Sequence, residues 1–167
     1  MTHSMTEPKE LFIMTIIMFI SGLLSGMNIW VNKISDIKFH LNDIYMSLLM
    51  CGWSLIFIGI YYINANILLI GIVMTIIIIY FIRNQLFIDE NQYIKGMIPH
   101  HSMAILMSNK LLQKVYNNTT NVTSEMTELA NKIIKTQNDE ISYMKFILEN
   151  REEIIKMNKY KYKYKNK

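Results

Sequence analysis

Residues 11–31 read LFIMTIIMFISGLLSGMNIWV, 21 positions without one charged side chain. At ~1.5 Å rise per helical residue, such a run crosses a hydrocarbon core about 30 Å thick. A helix of this length at the surface of a soluble protein needs a polar face, which this one lacks. It is also too long for the apolar part of a signal peptide and has no small-residue cleavage site, so it is a span. Two further uncharged runs follow, Tyr45 to Ile63 with 19 residues and Ile67 to Ile82 with 16, the latter extending past Asn66. After a tail of residues 1–10, a membrane domain over residues 11–82 is therefore predicted, with spans at about 11–31, 45–63 and 66–82. Asn64-Ala65-Asn66 leaves room only for a tight turn, so the second and third spans form a helical hairpin. Gly22 and Gly26, with Ser21 and Ser25, let another helix approach closely where lipid provides no hydrophobic drive for association.

Outside these runs the composition changes. Between Leu11 and Ile82 the only charged side chains are Lys33, Asp36, Lys38 and Asp43, whereas the remainder is rich in Lys and Glu. The overall 51% hydrophobic content and net charge of +4 average a membrane part and a polar part, and exclude a water-soluble fold for the first half. The single cysteine, Cys51, excludes an intrachain disulfide and any CxxC motif. Lys33, Lys38, Arg83 and Lys95 flank the spans on one side against Lys9 on the other, so the positive-inside bias puts the C-terminal half in the cytoplasm. The glycosylation sequons at Asn117, Asn118 and Asn121 favour the opposite side in a secretory membrane.

A helical-hairpin domain is predicted over residues 83–155. Asp89 suits an N-cap, with Gln92 at the reciprocal capping position. From there Tyr93, Met97, His100, His101, Ala104, Met107 and Leu111 recur at the three- and four-residue steps of one helix face, ending near Tyr116. Thr123 or Ser124 caps a second helix with Glu125 and Glu128 in its first turn. Its stripe is Met126, Ala130, Ile133, Gln137, Glu140, Ile141, Met144 and Leu148. Two such helices leave part of their apolar surface open, so a homodimer completing a four-helix bundle is predicted. The fold class is all-α, three transmembrane helices followed by an antiparallel two-helix hairpin. The tail, residues 156–167, alternates Lys with Tyr and suits either anionic headgroups of the lipid bilayer or a solvated terminus. A membrane-tethered chain is not expected to bind nucleic acid.

The chemistry-bearing residues gather in Met97-Ile98-Pro99-His100-His101. The two histidines straddle the stripe, with Met97 one turn before His101 and Met107 two turns beyond His100. Imidazole with thioether suits a soft ion such as Cu(I), with Met144 of the second helix as a further donor. Pro99 within the helix removes a donor and predicts a kink before the histidines; alternatively it opens a fresh helix. On the second helix Gln137 and Glu140 interrupt the apolar seam, where they either orient metal-bound histidines or satisfy them as a polar layer without metal. No HExxH, no Glu-x-x-His pair, no Ser-His-Asp pattern, no P-loop and no dinucleotide fingerprint occurs, so no enzyme is expected.

The residues from Arg83-Asn84-Gln85 through Met97-Ile98-Pro99-His100-His101-Ser102, followed by Gln137, Glu140-Ile141 and Met144, resemble the domain of unknown function 305 family. The resemblance covers about residues 83–150, and the preceding spans resemble a membrane-anchored branch. It implies a ferritin-like helical bundle and copper binding at Met97, His100, His101, Gln137, Glu140 and Met144, as in the Met-rich members of that family. Ile37 stands where that branch has a histidine, and the spans here are dominated by Ile rather than Met. The frequent extracytoplasmic placement of the family runs against the charge-based topology.

Overall fold

The computed structural model describes residues 8–157, which are helical with connecting turns and contain no strand. The helices are α1 (Pro8–Leu24), α2 (Leu41–Tyr61), α3 (Ala65–Arg83), α4 (Glu90–Tyr116) and α5 (Ser124–Glu149), with 3-10 turns at Met27–Trp30 and Ile34–Asp36. Residues 151–157 are also helical. The Lys/Tyr tail and the N-terminal tail lie mostly outside the described residues.

Three segments, Pro8–Trp30, Leu41–Tyr61 and Ala65–Arg83, are long and apolar enough to cross a membrane. The α-helix of the first stops at Leu24 rather than continuing to Val31. Ser21 and Gly22 in its last turn and Ser25 and Gly26 just beyond it are weak helix formers, and the 3-10 turn takes over after Gly26. The second span starts four residues earlier than the uncharged run, because His40 and Asp43 hold its first turn: Asp43 Oδ2 accepts from the His40 backbone N–H at 3.3 Å. The third begins at the Asn64 side chain, which caps the Asn66 and Ile67 amides. Ile63 before it takes φ 51°, a left-handed conformation that is costly for a β-branched residue and closes the tight turn.

The chain divides into two compact units. The first comprises Met1–Ile29 and Phe39–Gln92. Here small residues set the helix spacing. A Cβ at Gly59 would lie 2.5 Å from the Leu68 amide nitrogen, and one at Gly71 would lie 2.7 Å from that of Ile56, so α2 and α3 touch backbone to backbone. Gly22 meets Ser47 of α2 in the same way at 3.0 Å. Tyr45 stacks edge-on with Phe81 and donates its hydroxyl to the Leu86 carbonyl at 2.7 Å. The outer faces carry Phe12, Ile17, Phe57, Leu69 and Ile76, all exposed, as lipid contact requires.

The second unit comprises Trp30–Lys38 and Tyr93–Lys167. Nine residues from the connection between α1 and α2 thus belong with the hairpin, a grouping that differs from the division at residue 83 expected from composition. Its core is Ile94, Ile98 and Ile105 of α4 with Ile141 of α5, edged by Ile134, Met144, Ile147 and Leu148. The inward face of α4 is therefore rotated by up to ~100° from the stripe predicted on Tyr93, Met97, His100, His101, Ala104, Met107 and Leu111, of which His101 alone is buried. Tyr93 and Met107 are more than half exposed, while Ser102 and Ser108 are buried. Two apolar stripes lie side by side on α4, and the one rich in isoleucine faces α5.

Candidate functional site

Asp89 caps α4 by accepting from the Gln92 amide at 2.7 Å, and Thr123 caps α5 by accepting from Met126 at 3.3 Å. These caps fix where the two helices begin, and His101 of α4 meets Glu140 of α5. His101 Nε2 lies 2.9 Å from Glu140 Oε2. Its other ring nitrogen, Nδ1, lies 2.7 Å from the Met97 carbonyl oxygen one turn earlier. A carbonyl only accepts, so Nδ1 donates, and the ring is held at both ends. Neither nitrogen offers a lone pair to an incoming ion unless one of these contacts is broken.

Beside this pair is a second polar group that no local pattern announced. Asp36, only 2% exposed, closes the 3-10 turn Ile34–Asp36 and points into the second unit. Its Oδ2 accepts from the Ser102 hydroxyl at 2.6 Å, and its Oδ1 pairs with Lys145 Nζ. Lys145 also donates to Ser35 Oγ at 3.3 Å, and Ser102 Oγ accepts from the Asn32 amide at 2.8 Å. Asn109 donates its amide to Asn32 Oδ1 at 3.4 Å. Burial alone raises the Asp36 pKa, yet Lys145 and Ser102 outweigh it and hold the carboxyl below its ordinary value. Residues 30–38, α4 and α5 therefore meet at one ion pair, adjacent in sequence to His101.

The structure brings only part of the expected copper constellation together. His101 is buried, but His100 points outward and is exposed, contrary to its expected place in the buried sector; one residue of rotation, about 100°, separates them. Met107 is 57% exposed and stands away from the core it was expected to line. Met144 packs against the isoleucine core, and Met97 contributes its carbonyl to His101. Gln137 is half-buried and Glu140 exposed. Among the described residues no group of three His, Cys, Asp or Glu side chains is placed to hold a metal ion. Pro99 is buried inside a continuous α4, so it does not open a new helix. Asp36, Ser102 and Lys145 were missed as a set. The one available signal was the short charged stretch between apolar runs that holds Lys33, Asp36, Lys38 and Asp43.

The model of the family described as "Domain of unknown function (DUF305)" matches residues 88–165. The chain is 44% identical over 146 residues to an uncharacterized protein of Acanthamoeba polyphaga mimivirus, covering 84% of this chain and 92% of that one. The similarity thus runs through the apolar helices as well as the hairpin. No solved structure matches the chain. The described fold is all-helical, and the matched segment coincides with the helices carrying Met97 to His101 and Gln137 to Met144, so the chain belongs to the domain of unknown function 305 (DUF305) family.

Proposed function

We propose that this chain is a multi-pass membrane protein whose helical hairpin acts in assembly and interaction, and that its polar layer specifies packing without a metal. The observation that carries this reading is His101, whose two ring nitrogens are taken by Met97 O and Glu140 Oε2. A buried imidazole and a buried Asp–Lys pair admit one arrangement of α4, α5 and residues 30–38 and penalise the alternatives. The second apolar stripe of α4, with Tyr93 and Met107, and the exposed Met126 and Leu129 of α5 supply a surface for a second copy, giving a homodimeric four-helix bundle. The excess of Lys and Arg beside the hairpin favours its cytoplasmic placement. Protease access to tags at each terminus in sealed membranes tests that orientation.

A second reading is binding of a thiophilic ion, Cu(I), by His100, His101 and the neighbouring methionines. It is favoured by His100, which is exposed 6.0 Å, ring to ring, from His101. Under this reading His101 gives up Glu140 or Met97 when the ion binds. Competition of the full chain, in detergent, against a Cu(I) chelator separates the two. Affinity unchanged by His100→Ala with His101→Gln supports the metal-free layer, whereas a loss of tenfold or more in the double variant establishes the copper site.

A further inference from the structure

Residues 30–38 are built inside out. Their polar groups turn to the hairpin: the Asn32 amide donates to Ser102 Oγ at 2.8 Å and its side chain accepts from Asn109 at 3.4 Å, while Ser35 Oγ accepts from Lys145 at 3.3 Å and Asp36 from Ser102 at 2.6 Å. Their large apolar side chains are left open. Ile34 is 86% exposed, Trp30 55% and Ile37 47%. The 3-10 turn produces this split. Ile37 donates its amide to the Ile34 carbonyl at 3.1 Å, and side chains three apart eclipse in such a turn, so the two isoleucines share one side while Asp36 points to another. A single exposed isoleucine needs no explanation, but an apolar side opposite a consumed polar one calls for an apolar neighbour.

The continuity of the chain identifies that neighbour. Trp30 ends the first membrane-length segment and Leu41 begins the second. Ile34 follows Trp30 by four residues and Ile37 precedes Leu41 by four, so at no more than about 3.6 Å per residue each lies within about 14 Å of the end of a span. The 3-10 turn shortens that reach further. The polar layer of a bilayer is itself about 5–7 Å deep on each side, so the isoleucines have the acyl boundary within reach. The flanking residues fit the same place. Tryptophan concentrates at membrane–water interfaces, as Trp30 would, and the exposed Lys33 supplies a cation for lipid phosphates.

We propose that residues 30–38 lie in the membrane–water interface, Ile34 and Ile37 inserted at the acyl boundary and Lys33 among the lipid phosphates, and that the second unit meets the bilayer through them. The segment then has two partners of opposite character. Asp36, Ser35 and Asn32 clamp it to α4 and α5, and its isoleucines dissolve in lipid, so the hairpin is seated on the surface rather than tethered free in water. This rests on the reading of Pro8–Trp30 and Leu41–Tyr61 as membrane spans.

The test places a nitroxide spin label on the full chain in phospholipid vesicles, at Ile34→Cys or Ile37→Cys in a Cys51→Ser background, and compares collision with oxygen, which enters lipid, against a water-soluble nickel chelate. Labels at Phe57→Cys, on the exposed face of α2, and at Lys132→Cys, on the exposed face of α5, mark lipid and water. Both isoleucine positions should show an oxygen-to-nickel ratio severalfold above that of Lys132, at a depth of ~5–10 Å into the headgroup and acyl boundary. Nickel access equal to that at Lys132 overturns the proposal while Phe57 still reads as lipid; nickel access at Phe57 as well overturns the membrane reading beneath it. Label mobility that rises on dilution with excess unlabelled chain shows a second copy covering the isoleucines, and also overturns it. Trp53→Phe keeps Cys51 and leaves Trp30 as the one tryptophan, so it decides the matter even where the serine variant does not fold. Its emission should be quenched by lipids brominated near the headgroup and spared by aqueous acrylamide, whereas free quenching by acrylamide contradicts the interfacial placement.

Discussion

Asp36 carries a full charge into an apolar setting, and only Lys145 and Ser102 make that tolerable. Removing the carboxylate leaves the Lys145 ammonium, 28% exposed, without its counter-charge. Breaking a buried pair from one side costs about 3–5 kcal/mol, and partial solvation of Lys145 points to the lower end. Asp36→Ala is thus expected to destabilise the second unit by about 3 kcal/mol in denaturant unfolding followed at the hairpin. Replacing both partners with apolar residues of similar volume should restore most of the loss, since the pair's value lies in specificity rather than in net energy. The sign of the pH dependence follows from the lowered pKa. Between the folded value and the ordinary 3.8, the unfolded chain binds more protons, so stability rises with pH through that window. The contribution is fully present above 3.8 and is lost as pH falls through the lower folded value. Asp36→Asn should therefore flatten this part of the acid unfolding curve. His101 with Glu140 is different in kind: the Glu140 side chain is 49% exposed, so Glu140→Gln should cost at most about 1 kcal/mol.

At the scale of helices, existence and ends were legible where chemistry marks them. Asp89 and Thr123 are side-chain caps, and both cap as their residue types dictate. Asn64 marks the start of α3. What could not be read was which face of α4 turns inward. Met97, Ala104 and Leu111 make one apolar stripe and Ile94, Ile98 and Ile105 another, and helical periodicity favours neither. Ser102 and Ser108 put polar residues on the isoleucine face, which by residue type alone favours turning it outward. Their burial makes sense only because residues 30–38 lie against that face, with Asp36 accepting from a serine 66 positions away. Local spacing holds no trace of such a contact. The small-residue packing was legible in type but not in place. Gly22 and Gly26 stood out by spacing, yet the closest backbone approaches are at Gly59 and Gly71. Gly71→Val, which drives a branched side chain into the Ile56 backbone, should separate α2 from α3. Protease sensitivity of the turn at residues 62–64 is expected to rise severalfold. Overpacking of this kind typically costs 1–3 kcal/mol or more.

For the whole molecule, the division of charge separated apolar spans from a polar hairpin, and the similarity to the mimivirus protein extends over both. The open stripe of α4 and the exposed Met126 and Leu129 of α5 give the assembly reading its test. Met107→Glu, a change at a residue 57% exposed, should leave the helix content intact and raise the dimer dissociation constant at least tenfold, as read by cross-linking or analytical ultracentrifugation in detergent. A chain that is monomeric before the change would remove that reading. The environment of His101 decides between a packing layer and a copper ligand. Nitrogen NMR of the histidine-labelled full chain in detergent reports each ring nitrogen directly. The expected result is a protonated Nδ1 bonded to the Met97 carbonyl, with both His101 resonances unmoved by one equivalent of Cu(I). A metal-shifted Nδ1 or Nε2 resonance at that stoichiometry would contradict it.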